Sequence, residues 1–158
     1  MLPAVLDACC GPRGMWFDSA DRRALFIDKR RETLTQVWAD RTAPVSIEPD
    51  VIADFTAMPF GDETFHLVVF DPPHVRREAL LGNVTKRYGA LPNDWQEMLR
   101  RGFAECFRVL KSNGVLIFKW AESQFPLADV LQLTPHKPLF GHRGGRVTHW
   151  CVFLKEPL

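Results

Sequence analysis

A strand-like run that stops at two consecutive prolines constrains this chain more than any other feature. His66-Leu-Val-Val-Phe70 leads directly into Asp71-Pro72-Pro73-His74. A run this apolar reads as a buried strand, and neither proline can donate to a sheet ladder, so the strand must end in a stiff turn. That turn presents a carboxylate and an imidazole at the strand's carboxyl end, where open α/β sheets bind their ligands.

The residues upstream have the order expected of such a sheet. Ala4-Val-Leu-Asp7 is a short apolar run closing in an acid. It is followed by Ala8-Cys9-Cys-Gly11-Pro-Arg-Gly14, a loop of small side chains that lets a ligand approach the backbone. Arg23-Ala-Leu-Phe-Ile-Asp28 is a second strand-like run, ending in a carboxylate roughly 20 residues after the first, where βαβ nucleotide folds place the acid that receives ribose hydroxyls. Any helix between these two strands has to be short. Residues 29–39, with Leu34, Val37 and Trp38 among polar neighbours, predict an amphipathic helix. Asp50-Val-Ile-Ala-Asp54-Phe55 reads as a third strand running into a loop.

Downstream of the prolines, Asn93 or Asp94 caps a predicted helix reaching about Leu110. Trp95, Leu99, Phe103, Cys106 and Phe107 recur in it at three- and four-residue steps. Gly114 is read as its terminator, and Lys111 suits its negative end. Residues 126–133 predict a short helix opened by its proline. Gly144-Gly145, between two strand-like segments, predicts a closing hairpin. Residues 75–91 show no clear period but gather Arg76, Arg77, Lys86, Arg87 and Tyr88, a mixture suited to phosphate contact and base stacking. A solvated basic loop is the plainer reading of that segment.

Composition narrows the class. The 158 residues, 46% hydrophobic and 25% charged, predict one domain over 1–158 with a substantial core and no separate target-recognition domain. The net charge of +1 does not by itself announce a polyanionic partner. The four cysteines lack any C-x-x-C spacing, which favours reduced thiols and a cytoplasmic location. No run approaches the roughly 18 apolar residues of a membrane span, and His136, His142 and His149 lack the spacing of metal ligands.

Asp71-Pro72-Pro73-His74 resembles the D/N/S-P-P-aromatic signature of the class I S-adenosylmethionine-dependent amino-methyltransferases, with His74 in the aromatic's place. Val5-Leu-Asp7 with Gly11 and Gly14 resembles that family's first motif. Arg108-Val-Leu-Lys-x-x-Gly-Val-Leu-Ile-Phe118 resembles its joint between the fourth helix and fifth strand. Cys9-Cys-Gly11 and Thr148-His-Trp150 resemble small phage and prophage members. The resemblance implies a Rossmann-like, doubly wound, seven-stranded sheet, mostly parallel with a C-terminal antiparallel hairpin, and S-adenosyl-L-methionine as cofactor. It assigns the cofactor to Asp7, Ala8, Cys9, Gly11, Asp28, Asp54 and Phe55, with Asp28 on the ribose and Asp54 on the adenine amino group. It assigns catalysis to Asp71, Pro72 and His74. Arg76, Arg77, Lys86, Arg87, Tyr88, Lys119 and Trp120 are then candidates for substrate contact.

The acceptor implied is an exocyclic amino group of a nucleobase, adenine N6 in DNA first and RNA next. Sequence recognition would come from a loop, a second copy in a homodimer or a partner protein. A small-molecule amine methyltransferase and a catalytically silent binding subunit are the alternatives.

Overall fold

The computed structural model describes residues 1–76, 83–142 and 147–157, with backbone alone at 83 and 84. Seven strands form one sheet: β1 (Val5–Asp7), β2 (Ala24–Asp28), β5 (Val51–Ile52), β6 (Phe65–Phe70), β7 (Leu110–Ala121), β8 (Phe140–Gly141) and β9 (Thr148–Leu154). Their spatial order is β5-β2-β1-β6-β7-β9-β8. The first five run parallel, and β9 pairs antiparallel with both β7 and β8. The chain winds outward from β1 to β2 and β5, then restarts on the other side at β6 and β7. The topological switch therefore falls between β1 and β6, and the carboxyl ends of these two strands are where an open sheet of this kind binds its ligand.

Strand alternation sorts the side chains. Leu6, Val68, Phe70, Leu116, Phe118, Trp120 and Phe153 share one face and are fully buried. Onto this face α2 (Trp95–Val109) lays Leu99, Phe103, Cys106 and Phe107, the three- and four-residue stripe read from the sequence. A short helix, α3 (Leu127–Leu131), adds Val130. α2 approaches the sheet tightly at Gly102, where a Cβ atom would lie 2.8 Å from both the Phe55 and Phe70 rings. Gly102→Ala is accordingly expected to cost about 1–3 kcal/mol of stability by overpacking, read as a lowered urea midpoint.

The opposite face is covered differently. Between β1 and β2 the described residues form turns rather than a helix, because Asp18 and Asp21 accept from the amides of Ala20 and Arg23. Trp16 packs edge-on against Phe26 at 4.9 Å, and the Arg13 guanidinium lies 3.9 Å from the Phe26 ring centre. Farther along this face Val115, Ile117 and Val152 are partly exposed.

Residues 29–39 do not form the expected helix. They enter a hairpin of β3 (Glu32–Val37) and β4 (Thr42–Ile47), pairing Thr33 with Ser46, Thr35 with Pro44 and Val37 with Thr42. Alternation outweighed the helical reading: β-branched Thr33, Thr35 and Val37 point to solvent, while Leu34 and Gln36 turn inward beside Val45 and Ile47. Nor does Gly114 end α2, which stops at Val109. Gly114 lies inside β7, where a Cβ would come within 2.7 Å of Leu110 Cδ1 and the Lys111 carbonyl.

Part of the 75–91 segment is a short helix, α1 (Asn83–Tyr88). The antiparallel β8–β9 pair forms as expected, while the Gly144-Gly145 turn and Arg77 lie outside the described residues. Among the described residues no helix is long and apolar enough to cross a membrane.

Candidate active site

Four carboxylates reach the carboxyl edge of the sheet because four parallel strands end there. Asp7 closes β1 and is fully buried, its Oδ2 accepting from Trp16 Nε1 at 2.7 Å and its Oδ1 from the Cys9 amide at 3.3 Å. Burial pushes its pKa up to about 7. The two hydrogen bonds work against that rise, and the Asp71 and Asp28 carboxylates add to it. Asp7 thus sits close enough to both Asp71 and Asp28 to feel their charges. It acts as a support, with both oxygens engaged by the protein, rather than facing a ligand.

Asp28, at the end of β2, accepts the Gly11 amide on Oδ2 at 3.0 Å. On Oδ1 it accepts the Arg30 amide at 2.9 Å and Arg30 Nε at 3.3 Å. A carboxylate offers about four acceptor directions, so further donors can be received. Asp54 follows β5, and its Oδ1 accepts the amide and hydroxyl of Thr56 at 2.9 and 2.8 Å. Phe55 is not available to a cofactor. It points into the core and packs edge-on against Phe70 at 5.1 Å, because the chain turns under α2 at that point.

The loop after β1 is tightly built. Gly11 has φ +50°, which favours glycine, and a Cβ there would meet the Arg87 carbonyl at 3.2 Å and the Tyr88 ring at 3.5 Å. A Cβ on Gly14 would meet Arg87 Nη2 and the Tyr88 hydroxyl, each at 3.4 Å. The carboxyl end of α1 therefore lies across this loop. Arg30 holds it there, donating to the carbonyls of Lys86 and Arg87 at 2.9 and 3.0 Å. Ala8 is buried and Cys9 is partly buried at the base of the loop.

On the other side of the switch, Asp71 is 6% exposed and its Oδ2 accepts from Lys119 Nζ at 2.7 Å. Burial raises the Asp71 pKa, while Lys119 and, more weakly, His74 hold it back. The Lys119 ammonium lies 5.7 Å from the Trp150 ring centre and 6.0 Å from that of Tyr88, within cation–π reach of both. His74 is partly exposed. Burial lowers its pKa, the Asp71 charge and the Pro72 carbonyl raise it, and Lys119 lowers it further.

The other substrate candidates separate. Trp120 is fully buried on the core face, with its indole N–H donating to the Phe125 carbonyl at 3.0 Å and the His74 ring edge-on at 6.2 Å. Strand alternation sends Lys119 toward Asp71 and its neighbour Trp120 to the core. Arg87 and Tyr88 meet the glycine loop, and Lys86 is exposed. Arg76 reaches Asn93 Oδ1 at 3.1 Å, and its amide donates to Gln124. Trp150, quoted in the sequence only as part of Thr148-His-Trp150, was not among the substrate candidates. It pairs with Lys119 in the β7–β9 ladder, so aligning the last strand against the Lys119 strand would have found it.

No protein-family model matches the chain, and no curated protein matches it by sequence. Solved structures do match. One is the PH0226 protein of Pyrococcus horikoshii OT3, with TM-score 0.64 and 15% identity over 96% of this chain and 81% of that one. A second is a TehB-like SAM-dependent methyltransferase from Corynebacterium glutamicum, with TM-score 0.58 and 15% identity over 96% and 79%. A third is the 1,6-didemethyltoxoflavin-N1-methyltransferase of Burkholderia thailandensis, solved with 1,6-didemethyltoxoflavin and S-adenosylhomocysteine, with TM-score 0.54 and 14% identity over 98% and 72%. At these identities the likeness concerns architecture, and on that ground the chain has the Rossmann-like fold seen in S-adenosylmethionine-dependent methyltransferases.

Proposed function

We propose that this protein is an S-adenosylmethionine-dependent N-methyltransferase acting on an exocyclic amino group of a nucleobase, adenine N6 in DNA first and RNA next. The observation that carries this reading is the buried Asp71–Lys119 pair at the β6 turn. It stands across the switch point from a glycine loop tied to Asp28. Two features support the cofactor: Asp28 closes β2, the strand end at which nucleotide-binding folds of this kind receive ribose hydroxyls, and it holds the Gly11 amide of the loop after β1. S-adenosylmethionine, when bound, supplies a methyl group on an electron-poor sulfonium sulfur. Asp28 would hold the ribose, and Asp54 the adenine amino group.

The remaining work falls to the acceptor side. An aromatic amine is a poor nucleophile because its lone pair is delocalised into the ring. Asp71 and the Pro72 carbonyl accept its N–H groups, which favours a pyramidal nitrogen with its lone pair directed at the electrophile. No base has to remove a proton first, since the nitrogen becomes acidic once alkylated. Lys119 opposes the rise that burial gives the Asp71 pKa, and so favours the ionised carboxylate. His74 stands near that carboxylate, and the Tyr88 and Trp150 rings lie within cation–π reach of its partner Lys119. A duplex base would have to be flipped out to reach this pocket. Target choice comes from a second copy or a partner protein, and the free thiols of Cys9, Cys10, Cys106 and Cys151 suit a cytoplasmic setting.

A small-molecule amine is the second reading, and the toxoflavin-precursor enzyme among the structural neighbours favours it. Incubating the protein with methyl-labelled cofactor and DNA, RNA or a metabolite extract separates the two. Label in DNA or RNA, with affinity that falls steeply as salt rises, is the expected result. Label confined to small metabolites would assign the second reading instead.

A further inference from the structure

The loop after β1 has spent most of the groups with which such loops hold anions. The amides of Ala8, Cys9, Cys10, Gly11, Arg13 and Trp16 all donate within the protein, to Val69 O, Asp7 Oδ1, Ile27 O, Asp28 Oδ2, Cys10 O and Arg13 O respectively. Pro12 has no amide hydrogen to give. No helix begins after Gly14, so the positive end of a helix dipole, the usual complement to an anion at this place in a βα unit, is missing.

The cations around the loop are mostly committed as well. Arg13 donates to the Ser19 and Glu48 carbonyls and to Asp50. Arg30 donates to Asp28, Glu32 and the end of α1, and Lys119 is paired with Asp71. Arg87 differs. Its Nη2 lies 3.4 Å from where a Gly14 Cβ would be, and its Nε is buried with no hydrogen-bond partner. A buried N–H without an acceptor is costly, and a guanidinium beside a glycine loop matches a carboxylate in shape and charge.

We infer that Arg87 is the receptor for the carboxylate of the cofactor's methionine tail, taking over the task that loop amides and a helix N-terminus perform where a helix follows the glycine loop. The inference rests on the methyltransferase reading above. It explains why a basic residue on α1, after the Asp-Pro-Pro turn, is held against the loop after β1 through Arg30. It also ties cofactor entry to the position of α1.

Isothermal titration calorimetry of wild type and Arg87→Met tests it, with S-adenosylmethionine and with decarboxylated S-adenosylmethionine, which lacks only the carboxylate. The methionine side chain keeps an apolar stem against Tyr88. Wild type should bind the carboxylated ligand, and Arg87→Met should bind it about 10- to 100-fold more weakly. Both proteins should bind the decarboxylated ligand alike. Arg87→Lys should recover part of the loss. Equal binding of S-adenosylmethionine by both proteins would overturn the assignment, and so would a parallel loss for both ligands, which marks a structural role. If wild type binds neither ligand, the methyltransferase reading falls and takes this inference with it.

Discussion

Asp71→Ala is expected to lower the rate of methyl transfer by about 100- to 1,000-fold, with affinity for S-adenosylmethionine held within about threefold. The split follows from position: Asp71 closes β6 on the acceptor side of the switch, whereas Gly11 and Asp28 line the other side. Stability should suffer less than is usual for a broken buried pair. The partner left behind, Lys119, retains 24% side-chain exposure and can hydrate. Removing the lysine is a different experiment. In Lys119→Met the carboxylate loses the larger of the two charges that oppose its burial, so its pKa rises further. A reaction that needs Asp71 ionised then loses activity at neutral pH and regains it toward alkaline pH. A pH–rate profile whose acid limb moves up in Lys119→Met would show this, and an unmoved limb would remove Lys119 from the mechanism.

Asp7 is expected to make the fold less stable as the solution becomes more alkaline. Its pKa is near 3.8 when exposed in the unfolded chain and about 7 in the fold. The folded state therefore binds the proton more tightly, and the sign follows. The contribution of the neutral acid is complete below the unfolded value and is lost as pH rises through the folded one. The shift amounts to roughly 4 kcal/mol in all, of which about 2–3 kcal/mol falls between pH 5 and pH 8. Asp71 moves in the same direction, so the comparison has to be made against Asp7→Asn, which imitates the protonated acid and still accepts from Trp16. Urea midpoints at the two pH values should show the variant gaining on wild type by that amount at pH 8. A constant offset between the two proteins would mean that Asp7 stays ionised throughout.

The fold was legible where pattern and local chemistry agreed. The β6 run with its double proline, the acid-tipped β1 and β2, and the α2 stripe all depend on nearest neighbours and appear as read. Residues 29–39 failed because their apolar side chains satisfy a helical spacing almost as well as an alternating one. The partner that decides the matter, β4, lies across a turn with no glycine in it. Residues that hang on one motif, such as Asp28 and Asp71, stand at the carboxyl ends of β2 and β6 as read. Phe55 and Trp120 turn into the core instead, since each sits next to a residue on the ligand side and a strand or turn sends neighbours in opposite directions. Trp150 and Arg30 depend on contacts with segments distant in the chain, and no local spacing signals them.

The central claim is that Asp71 orients a nucleobase amine for methylation. Mass spectrometry of nucleosides from cells expressing wild type or Asp71→Ala tests it most directly. A methylated nucleoside, N6-methyladenine foremost, should appear with wild type and be missing with the variant. Identical nucleoside profiles from two equally expressed, folded proteins would contradict it.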